Sequence, residues 1–402
     1  MAFESTWNTL NKSLMLGIEV KNDTQEFYSA TTKGLRQNAW NALFTKSTRP
    51  VLIPTAHPAG QKSGLEFFIA NPFRLRCAKA LLSLHQYFPK LFKVPRVLLS
   101  STKDHTLIDE LELPDAACIA FSIDMPNPCQ KSSVLIMSKE GRPLALAKVA
   151  LSENADLMIQ TETEWLAALG NEETLRDHVP RVLKYGKSSN GRSYSVLSTA
   201  PMQYTKTTDF TLLHAIFLRR LGKASFNIKK FTSSHDYHFL QKTLANLKPS
   251  LSLNHFGILS NAFNDAKNIL GDWQGPYVVS HGDFAPWNLH LYPQKLFVFD
   301  WKHAQEDASA LRDYFHYLLI QLAVSGRGRS YEPMKFAIGR AREFLTDTYP
   351  ETNWNYKVLR AHGLLYLLHT VLSRINSVGS VVESDATVKY YFQLIKDRKS
   401  WM

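Results

Sequence analysis

The order of its apolar segments constrains the fold of this chain more than any other feature. Between about residues 116 and 198 the segments are short and separated by turn residues, which is typical of β-strands. Beyond residue 201 apolar residues recur at helical spacing, in segments at 210–221, 238–247, 256–270, 308–324, 334–349, 356–375 and 388–396. Strands followed by helices predict an α+β chain, in which a small antiparallel sheet precedes a larger, mainly helical part.

The predicted sheet has five strands and one inserted helix. Its strands are predicted at 117–124, 132–138, 143–151, 181–185 and 193–197. A short polar connection containing Gly141 separates the second strand from the third, which indicates a hairpin. The segment at 155–169 has the periodicity of an amphipathic helix that ends at Gly170. One strand-rich island, at 277–301, interrupts the helices that follow.

The residues before the sheet are predicted to form an accessory α/β module of unknown role, so the predicted domains are 1–112, 113–200 and 201–402. Compact apolar runs at 48–54 and 64–70 predict two buried strands. The segment 72–87 has apolar residues at helical spacing and a proline near its start, which predicts an amphipathic helix. The basic residues on its outer face are Arg74, Arg76 and Lys79.

Charge and cysteine content exclude several classes of protein. The 402 residues include 47 Lys and Arg against 35 Asp and Glu, and this net charge of +12 favours polyanionic partners. Basic and aromatic residues do not interleave on one strand face, and no helix-turn-helix or zinc-finger spacing occurs, so no specific nucleic acid partner is predicted. Three cysteines without a CxxC pair or a Cys/His cluster predict neither a disulfide framework nor a zinc site.

The terminal and apolar segments predict a cytoplasmic protein. The first residues lack a basic region followed by an uninterrupted apolar one, which argues against a secretory signal. The longest apolar stretches fall short of the roughly 18 residues that a membrane span requires. Because the chain is basic, peripheral contact with the anionic inner face of a membrane is a further expectation.

The strand-rich island concentrates polar residues at the ends of two strand-like segments. Phosphoryl transfer from a nucleotide needs a carboxylate to orient the attacking hydroxyl, oxygen ligands for Mg²⁺ and a cation on the phosphates. Asp283 fits the first role, and Asn288 and Asp300 fit the second. Lys148, in an otherwise apolar strand, fits the third. The five-residue spacing from Asp283 to Asn288 equals that of the catalytic loop in protein kinases.

Two motifs, HGDFAPWN and the later VFDW, resemble those of the aminoglycoside phosphotransferase and choline kinase group. The resemblance covers 116–402 and implies a bilobal, protein-kinase-like fold, with the N-terminal module in front of it. It also implies ATP and Mg²⁺ as cofactors, with Asp283 as the catalytic residue and Asn288 and Asp300 as metal ligands. His281 resembles the residue that braces the catalytic loop, and Asp313 resembles the buried helix residue that hydrogen-bonds to this loop.

The same resemblance implies an ion pair between the strand lysine and a helix glutamate. Lys148 would be held on the α- and β-phosphates by this glutamate. Both Glu162 and Glu164 lie on the helix after the third strand, and the family register favours Glu162. The hinge residues expected to contact the nucleotide base are Ser198, Ala200 and Met202.

One turn departs from the family pattern. The segment at 124–131, which should cover the nucleotide phosphates, contains no glycine, so its backbone amides approach a phosphate less closely. A catalytically inactive, kinase-like scaffold that binds nucleotide therefore stays open as an alternative.

The predicted function is ATP- and Mg²⁺-dependent transfer of the γ-phosphoryl group to a hydroxyl of a small-molecule or lipid-linked acceptor. Positive charge favours an anionic or lipid-linked acceptor, such as a sugar of a surface polysaccharide or its precursor. An amino-alcohol or an aminoglycoside is the second alternative, and such cations suit acidic or aromatic pockets. The residues predicted to bind the acceptor are Arg327, Arg329 and Lys302.

Four histidines of the helical part are scattered singly and do not form a ligand cluster. They are His303, His316, His362 and His369. A lone histidine on a helix or loop is usually a hydrogen-bonded structural residue, so structural roles are predicted for all four.

Overall fold

The computed structural model describes residues 18–21, 37–43, 51–69, 72–88, 91, 94, 96–101, 113–124, 127–187, 191–200, 204–326, 328, 330–346, 348–378 and 385–402. The chain divides into two compact units. The first consists of residues 1–167 and 180–200, and the second of residues 168–179 and 201–402.

The first unit is built on one antiparallel sheet. Its strands are β1 (Ile18–Lys21), β2 (Gln37–Leu43), β3 (Val51–Pro54), β4 (Arg96–Ser101), β5 (Ala116–Ile123), β6 (Lys131–Ser138), β7 (Pro143–Ala150), β8 (Val182–Lys187) and β9 (Ser193–Ser198). In the described residues they pair in the order β1-β4-β2-β3-β5-β6-β7-β9-β8, each antiparallel to its neighbours. The five strands predicted from 116 onward are all present, and the hairpin between β6 and β7 lies where Gly141 adopts a positive φ of 77°.

Three helices accompany this sheet: α1 (Pro58–Phe68), α2 (Pro72–Tyr87) and α3 (Glu153–Asn171). Alternate residues of the strands point to opposite faces, so the sheet has two apolar clusters. One cluster includes Phe121, Val134 and Ala147, and the other includes Ala120 and Leu135. Helices α1 and α2 pack on the second cluster through the buried side chains of Leu65 and Ala78.

The strand predicted at 64–70 is wrong, because most of this segment belongs to α1. The buried residues Gly60 and Gly64 are four apart and therefore share one face of a helix. A Cβ atom on Gly64 would lie 2.8 Å from the Cβ of Ala120, so the helix lies unusually close to the sheet. The composition of the apolar run is typical of a strand. The small residues Gly60 and Gly64 instead indicate a helix that packs closely on a neighbouring element.

The described strands of the predicted accessory segment 1–112 pair with the later strands. Strands β1 to β4 belong to the same sheet as β5 to β9, and β3 pairs with β5 through Leu52 and Phe121. A boundary at residue 112 would therefore fall between two strands of one sheet and inside one compact unit.

The second unit is mainly helical. Its helices are α4 (Leu212–Ser225), α5 (His235–Leu247), α6 (Leu253–Leu270), α7 (Arg312–Val324), α8 (Glu332–Thr346), α9 (Tyr356–Val378) and α10 (Ala386–Lys396). Its strands are β10 (Asn227–Lys230), β11 (Gln274–Ser280), β12 (Leu289–Leu291), β13 (Leu296–Val298) and β14 (Gln305–Ser309). Strands β10, β11 and β14 form a sheet, and β12 and β13 form a hairpin. Helix α7 begins four residues later than the predicted start at 308, because residues 305–309 pair with β11.

These elements confirm the predicted α+β class, with an antiparallel sheet in the N-terminal part and a mainly helical C-terminal part. Within the described ranges, no helix combines the length and the hydropathy that crossing a bilayer requires.

Two fully buried histidines predict that the second unit loses stability in acid. Burial lowers the pKa of His214 to about 4 and the pKa of His362 to about 3, against about 6.5 in an unfolded chain. Below pH 6.5 the folded state binds fewer protons than the unfolded chain. The stability that the two neutral rings contribute is therefore complete above pH 6.5, decreases as the pH falls below that value, and is lost once the pH has fallen through the folded pKa values. Lowering the pH from 7.5 to 5.5 should cost about 1 kcal/mol of unfolding free energy per histidine.

Thermal unfolding measured across this pH range checks the prediction. The Tm should fall between pH 7.5 and 5.5, and it should fall less in a His362→Gln variant, whose side chain keeps a partner for the hydroxyl of Ser309. Equal Tm values at the two pH values in the wild type would contradict it.

Candidate active site

The loop after β11 carries the predicted catalytic residues of the second unit. It runs from His281 to a 3₁₀ turn at Pro286–Asn288, where the hairpin of β12 and β13 begins. The amide of Phe299 donates to the carbonyl oxygen of Asn288 at 3.0 Å, which extends the hairpin pairing by one position. Asn288 directly precedes the first strand of the hairpin, and Asp300 follows its second strand. The two residues therefore lie at the same end of the hairpin.

The carboxylate of Asp283 is held on both of its oxygens. The side-chain amide nitrogen of Asn288 donates to Oδ2 of Asp283 at 2.8 Å and to its backbone oxygen at 2.8 Å. Nε2 of His316, on α7, lies 3.0 Å from Oδ1. The Asp283 side chain is still 26% exposed, so a ligand can reach a carboxylate whose direction is already set.

The pKa of Asp283 reflects two opposing influences. Burial is the largest and would raise the pKa, since it disfavours the charged form. The hydrogen bond from His316 and the charges of His316 and Lys302 act in the opposite direction and hold the pKa below the ordinary value for an aspartate. Asp283 is therefore ionised at neutral pH, the state in which it can accept a proton.

Asp313 anchors the start of the loop after β11 from α7. Its Oδ2 accepts from the amide of His281 at 2.6 Å, and its Oδ1 accepts from the hydroxyl of Ser280 at 2.9 Å and the amide of Gly282 at 3.1 Å. Gly282 has a φ of 79°, and a Cβ atom there would collide with the carbonyl oxygen of His303. Only glycine fits this position without strain.

His281 joins the two ends of the site from a fully buried position. Its Nε2 donates to the carbonyl oxygen of Phe299 at 3.0 Å, and its Nδ1 accepts from the amide of Asp283 at 3.2 Å. Burial lowers the pKa of His281, which favours the neutral ring that this donor and acceptor pattern requires. The ring therefore fixes the backbone of the loop after β11 against Phe299, the residue that precedes Asp300.

Asp300 has a left-handed backbone, with a φ of 71° and a ψ of 53°. A non-glycine residue in this region is uncommon, although aspartate tolerates it better than most. The ammonium of Lys302 contacts Oδ2 of Asp300 in the 3₁₀ turn Trp301–His303. Lys302 was predicted to bind the acceptor, and in the structure its ammonium contacts the carboxylate of Asp300.

The first unit holds the predicted lysine–glutamate pair. Nζ of Lys148 on β7 lies 2.7 Å from both carboxylate oxygens of Glu162 on α3, and both side chains are buried. Glu164 instead accepts from the side chain of Gln160 on the exposed side of the helix. The structure thus brings Glu162, and not Glu164, to Lys148.

Polar groups of the glycine-free turn between β5 and β6 hydrogen-bond to one another. Oδ1 of Asn127 accepts from the amide of Cys129 at 2.8 Å, and the carbonyl oxygen of Asn127 accepts from the amide of Gln130 at 3.1 Å. The side chain of Gln130 donates to the carbonyl oxygen of Asp124. The amides of Cys129 and Gln130 are therefore engaged within the turn.

Two further predicted site residues, Ser198 and Ala200, lie at the end of β9 and just after it. The amide of Ser198 donates to the carbonyl oxygen of Arg181 at 2.8 Å, so this amide is used within the sheet. Ala200 follows β9 in a partly exposed position. The remaining predicted residues lie outside the described part of the chain: Met202, Arg327 and Arg329.

No protein-family model matches the chain, and no curated protein matches it in sequence. The structure is similar to aminoglycoside phosphotransferases. A thermostable mutant of aminoglycoside phosphotransferase APH(4)-Ia, in ternary complex with ADP and hygromycin B, is 13% identical over 74% of this chain and 98% of that chain, with a TM-score of 0.49. A mutant of aminoglycoside 2'-phosphotransferase-IIIa in its GDP complex is 11% identical over 73% of this chain and 95% of that chain, with a TM-score of 0.47.

A putative fructosamine-3-kinase from Thermobifida fusca YX-ER1 is similar as well. It is 15% identical over 71% of this chain and 93% of that chain, with a TM-score of 0.46. The similarity that the motifs indicated is thus present in the structure.

The oxygen donors of the second unit suit Mg²⁺. The carboxylate of Asp300 and the amide oxygen of Asn288 are hard donors of the kind that this ion prefers. The amide nitrogen of Asn288 donates to Asp283, which leaves the oxygen of that group as the atom for a cation. In the described ranges no three His, Cys, Asp or Glu side chains form a metal-binding group.

His316 is the site residue that sequence reasoning missed. It was grouped with the structural histidines, yet its ring contacts Asp283, and its Nδ1 lies 3.3 Å from the hydroxyl of Tyr366. That hydroxyl lies 2.8 Å from the hydroxyl of Tyr391. The signal was present in the sequence, because His316 follows Asp313 by three residues and such residues share one face of a helix.

Proposed function

We propose that this protein is a phosphotransferase that moves the γ-phosphoryl group of ATP to a hydroxyl, with Mg²⁺ as cofactor. The observation that carries the proposal is the carboxylate of Asp283, which is ionised, partly exposed and oriented on both oxygens by Asn288 and His316. Such a group can orient an acceptor hydroxyl and accept its proton as the oxygen attacks phosphorus. The proton passes to Asp283, and ADP leaves with the electrons of the broken bond.

The chemistry of the other site residues indicates their roles in this proposal. Lys148, positioned by Glu162, would bind the α- and β-phosphates through its ammonium. Asn288 and Asp300 would hold Mg²⁺, which when bound offsets the charge of the phosphates. Asp313 and His281 keep the catalytic loop in place and touch no reactant.

For the acceptor, we propose a hydroxyl compound that is anionic or linked to a lipid, such as a sugar of a surface polysaccharide or its precursor. The net charge of +12 supports this class over a cationic amino-alcohol or aminoglycoside. Release of ADP in the presence of Mg²⁺, measured for sugars, lipid-linked sugars, amino-alcohols and aminoglycosides in turn, tests both the activity and the class. Turnover with aminoglycosides or choline alone would contradict the proposed acceptor, and turnover with none would contradict the activity.

A nucleotide-binding protein without transferase activity is the second candidate. The engaged amides of the turn between β5 and β6 favour it, because this turn offers fewer donors to the phosphates. Calorimetric titration with ATP and Mg²⁺ separates the two when it is combined with the ADP assay. Binding without turnover supports the second candidate.

His316 should act as a positioning residue for Asp283. A His316→Phe variant loses the hydrogen bond to the carboxylate, and we expect kcat to fall by about ten- to a hundredfold with the KM for ATP unchanged. Loss of this bond also raises the pKa of Asp283, so the acidic limb of the pH profile should move to higher pH.

A His316→Gln variant, whose amide can still donate to Asp283, serves as the conservative comparison and should recover part of kcat. An unchanged kcat in His316→Phe, or a change in the KM for ATP alone, would contradict the positioning role.

A further inference from the structure

Four side chains form a hydrogen-bonded series that runs from the candidate active site into the interior of the second unit. This buried network consists of Asp283, His316 on α7, Tyr366 on α9 and Tyr391 on α10. The three contacts in this order measure 3.0, 3.3 and 2.8 Å. The last three residues are buried, and Tyr391 is 0% exposed. The network therefore opens to solvent at Asp283 and ends inside the helices.

The inner end of the network determines which way its hydrogen bonds point. Burial raises the pKa of both Tyr366 and Tyr391, so each keeps its hydroxyl proton at neutral pH. Within the described ranges, the hydroxyl of Tyr391 has one hydrogen-bond partner, the hydroxyl of Tyr366. A buried hydroxyl proton without an acceptor is costly. Tyr391 therefore donates to Tyr366.

Tyr366 in turn donates to His316. Its oxygen accepts from Tyr391, so its own proton points to Nδ1 of His316 at 3.3 Å. A neutral imidazole whose Nδ1 accepts carries its proton on Nε2. Nε2 therefore faces Oδ1 of Asp283 as a donor. The reverse arrangement, with a proton on Nδ1, leaves one of the two buried hydroxyl protons without an acceptor among the described contacts.

We propose that Tyr366 and Tyr391 are positioning residues that hold His316 in the tautomer with its proton on Nε2, and thereby orient the carboxylate of Asp283. The inference rests on the proposed function, in which Asp283 accepts the proton of the attacking hydroxyl. In the other tautomer the lone pair of Nε2 would face a carboxylate oxygen, and an attraction would become a repulsion. Both tyrosines act through His316 and touch no reactant.

Nitrogen NMR of the histidine rings tests the tautomer without a transferase assay. The full-length protein is labelled with ¹⁵N-histidine, and the signals of His316, one of 14 histidines, are those that disappear in His316→Gln. At neutral pH the wild type should show a protonated Nε2 and an unprotonated Nδ1. In Tyr366→Phe the Nδ1 signal should move toward that of a nitrogen without a donor. Tyr391→Phe should move it in the same direction by a smaller amount.

Tyr314→Phe is the matched control for these variants. Tyr314 is a buried residue of α7 whose hydroxyl donates to the carbonyl oxygen of Ala337 at 3.0 Å, outside the buried network. This variant also loses a buried hydrogen bond, so its Tm should fall by an amount comparable to that of Tyr366→Phe. The His316 signals should stay unchanged.

Kinetics test the positioning role with any acceptor that the ADP assay identifies. Tyr366→Phe should lower kcat about three- to tenfold, the worth of one hydrogen bond, and leave the KM for ATP unchanged. The double variant His316→Phe/Tyr366→Phe should have the kcat of His316→Phe alone, because Tyr366 acts through His316. A structural role for Tyr366 would instead make the two losses multiply.

The NMR and kinetic results can overturn the inference separately from the proposed function. A proton on Nδ1 or on both ring nitrogens of wild-type His316, or losses of kcat that multiply in the double variant, would overturn it. If Tyr366→Phe does not fold, the wild-type spectrum and Tyr391→Phe still decide the tautomer. Absence of turnover with every acceptor would contradict the proposed function alone, since the tautomer is read from the NMR signals.

Discussion

An Asp283→Asn variant should lose transferase activity by about a hundred- to ten-thousand-fold while its fold and its affinity for ATP stay close to those of the wild type. The asparagine keeps the size of the side chain and one oxygen that can accept from His316, but it cannot accept the proton of the attacking hydroxyl. The effect is therefore expected in kcat, with little change in the KM for ATP or in the Tm.

The matched control for this variant is Asp272→Asn. Asp272 is an exposed residue after α6 in the same unit and has no role in the proposed site. Its variant should retain wild-type kcat. Full activity of Asp283→Asn would show that this carboxylate is not the proton acceptor, and a large fall in its Tm would assign the lost activity to folding.

Replacing Lys148 should abolish transferase activity and also lower the free energy of unfolding. In Lys148→Met the carboxylate of Glu162, which is 1% exposed, loses the ammonium that contacts both of its oxygens. Removing one partner of a buried ion pair costs about 3–5 kcal/mol of unfolding free energy, because the other charge stays buried without compensation. Denaturant unfolding measures this loss, and calorimetry with ATP and Mg²⁺ measures the loss of affinity for the phosphates.

The double variant Lys148→Met/Glu162→Leu separates the two effects. Both charges are removed, so most of the lost stability should return, since apolar residues of similar volume often replace a buried pair without cost. Activity and nucleotide affinity should not return, because the cation for the phosphates is still missing. A double variant as active as the wild type would contradict the role of Lys148, and Lys139→Met, in the exposed β6–β7 turn, is the matched control.

Where sequence reasoning succeeded, the signal was local. The strands β5 to β9 are compact apolar runs bounded by turn residues, and the later helices carry continuous apolar periodicity. Asp283, Asn288 and Asp300 lie at the ends of two adjacent strand-like segments, so chain geometry alone brings them to one hairpin and its entry loop.

Where sequence reasoning failed or was incomplete, the decisive contact was between distant segments. The strand predicted at 64–70 is a helix because Gly64 packs against Ala120, a partner that no local pattern reveals. The continuation of the sheet from β5 to β3 depends on the pairing of Leu52 with Phe121. His316 contacts Asp283 across 33 positions of sequence, and the local signal for this contact was limited to its spacing of three residues from Asp313.

The fate of the γ-phosphoryl group tests the central claim most directly. Wild-type protein and Asp283→Asn are each incubated with Mg²⁺, ATP labelled with ³²P at the γ-position, and a mixture of sugars, lipid-linked sugars, amino-alcohols and aminoglycosides. We predict that the wild type produces a labelled phosphate ester and that the variant produces none at the same protein concentration. Label that stays in ATP or appears only as inorganic phosphate with the wild type, or an equal yield of the ester with the variant, would contradict the account.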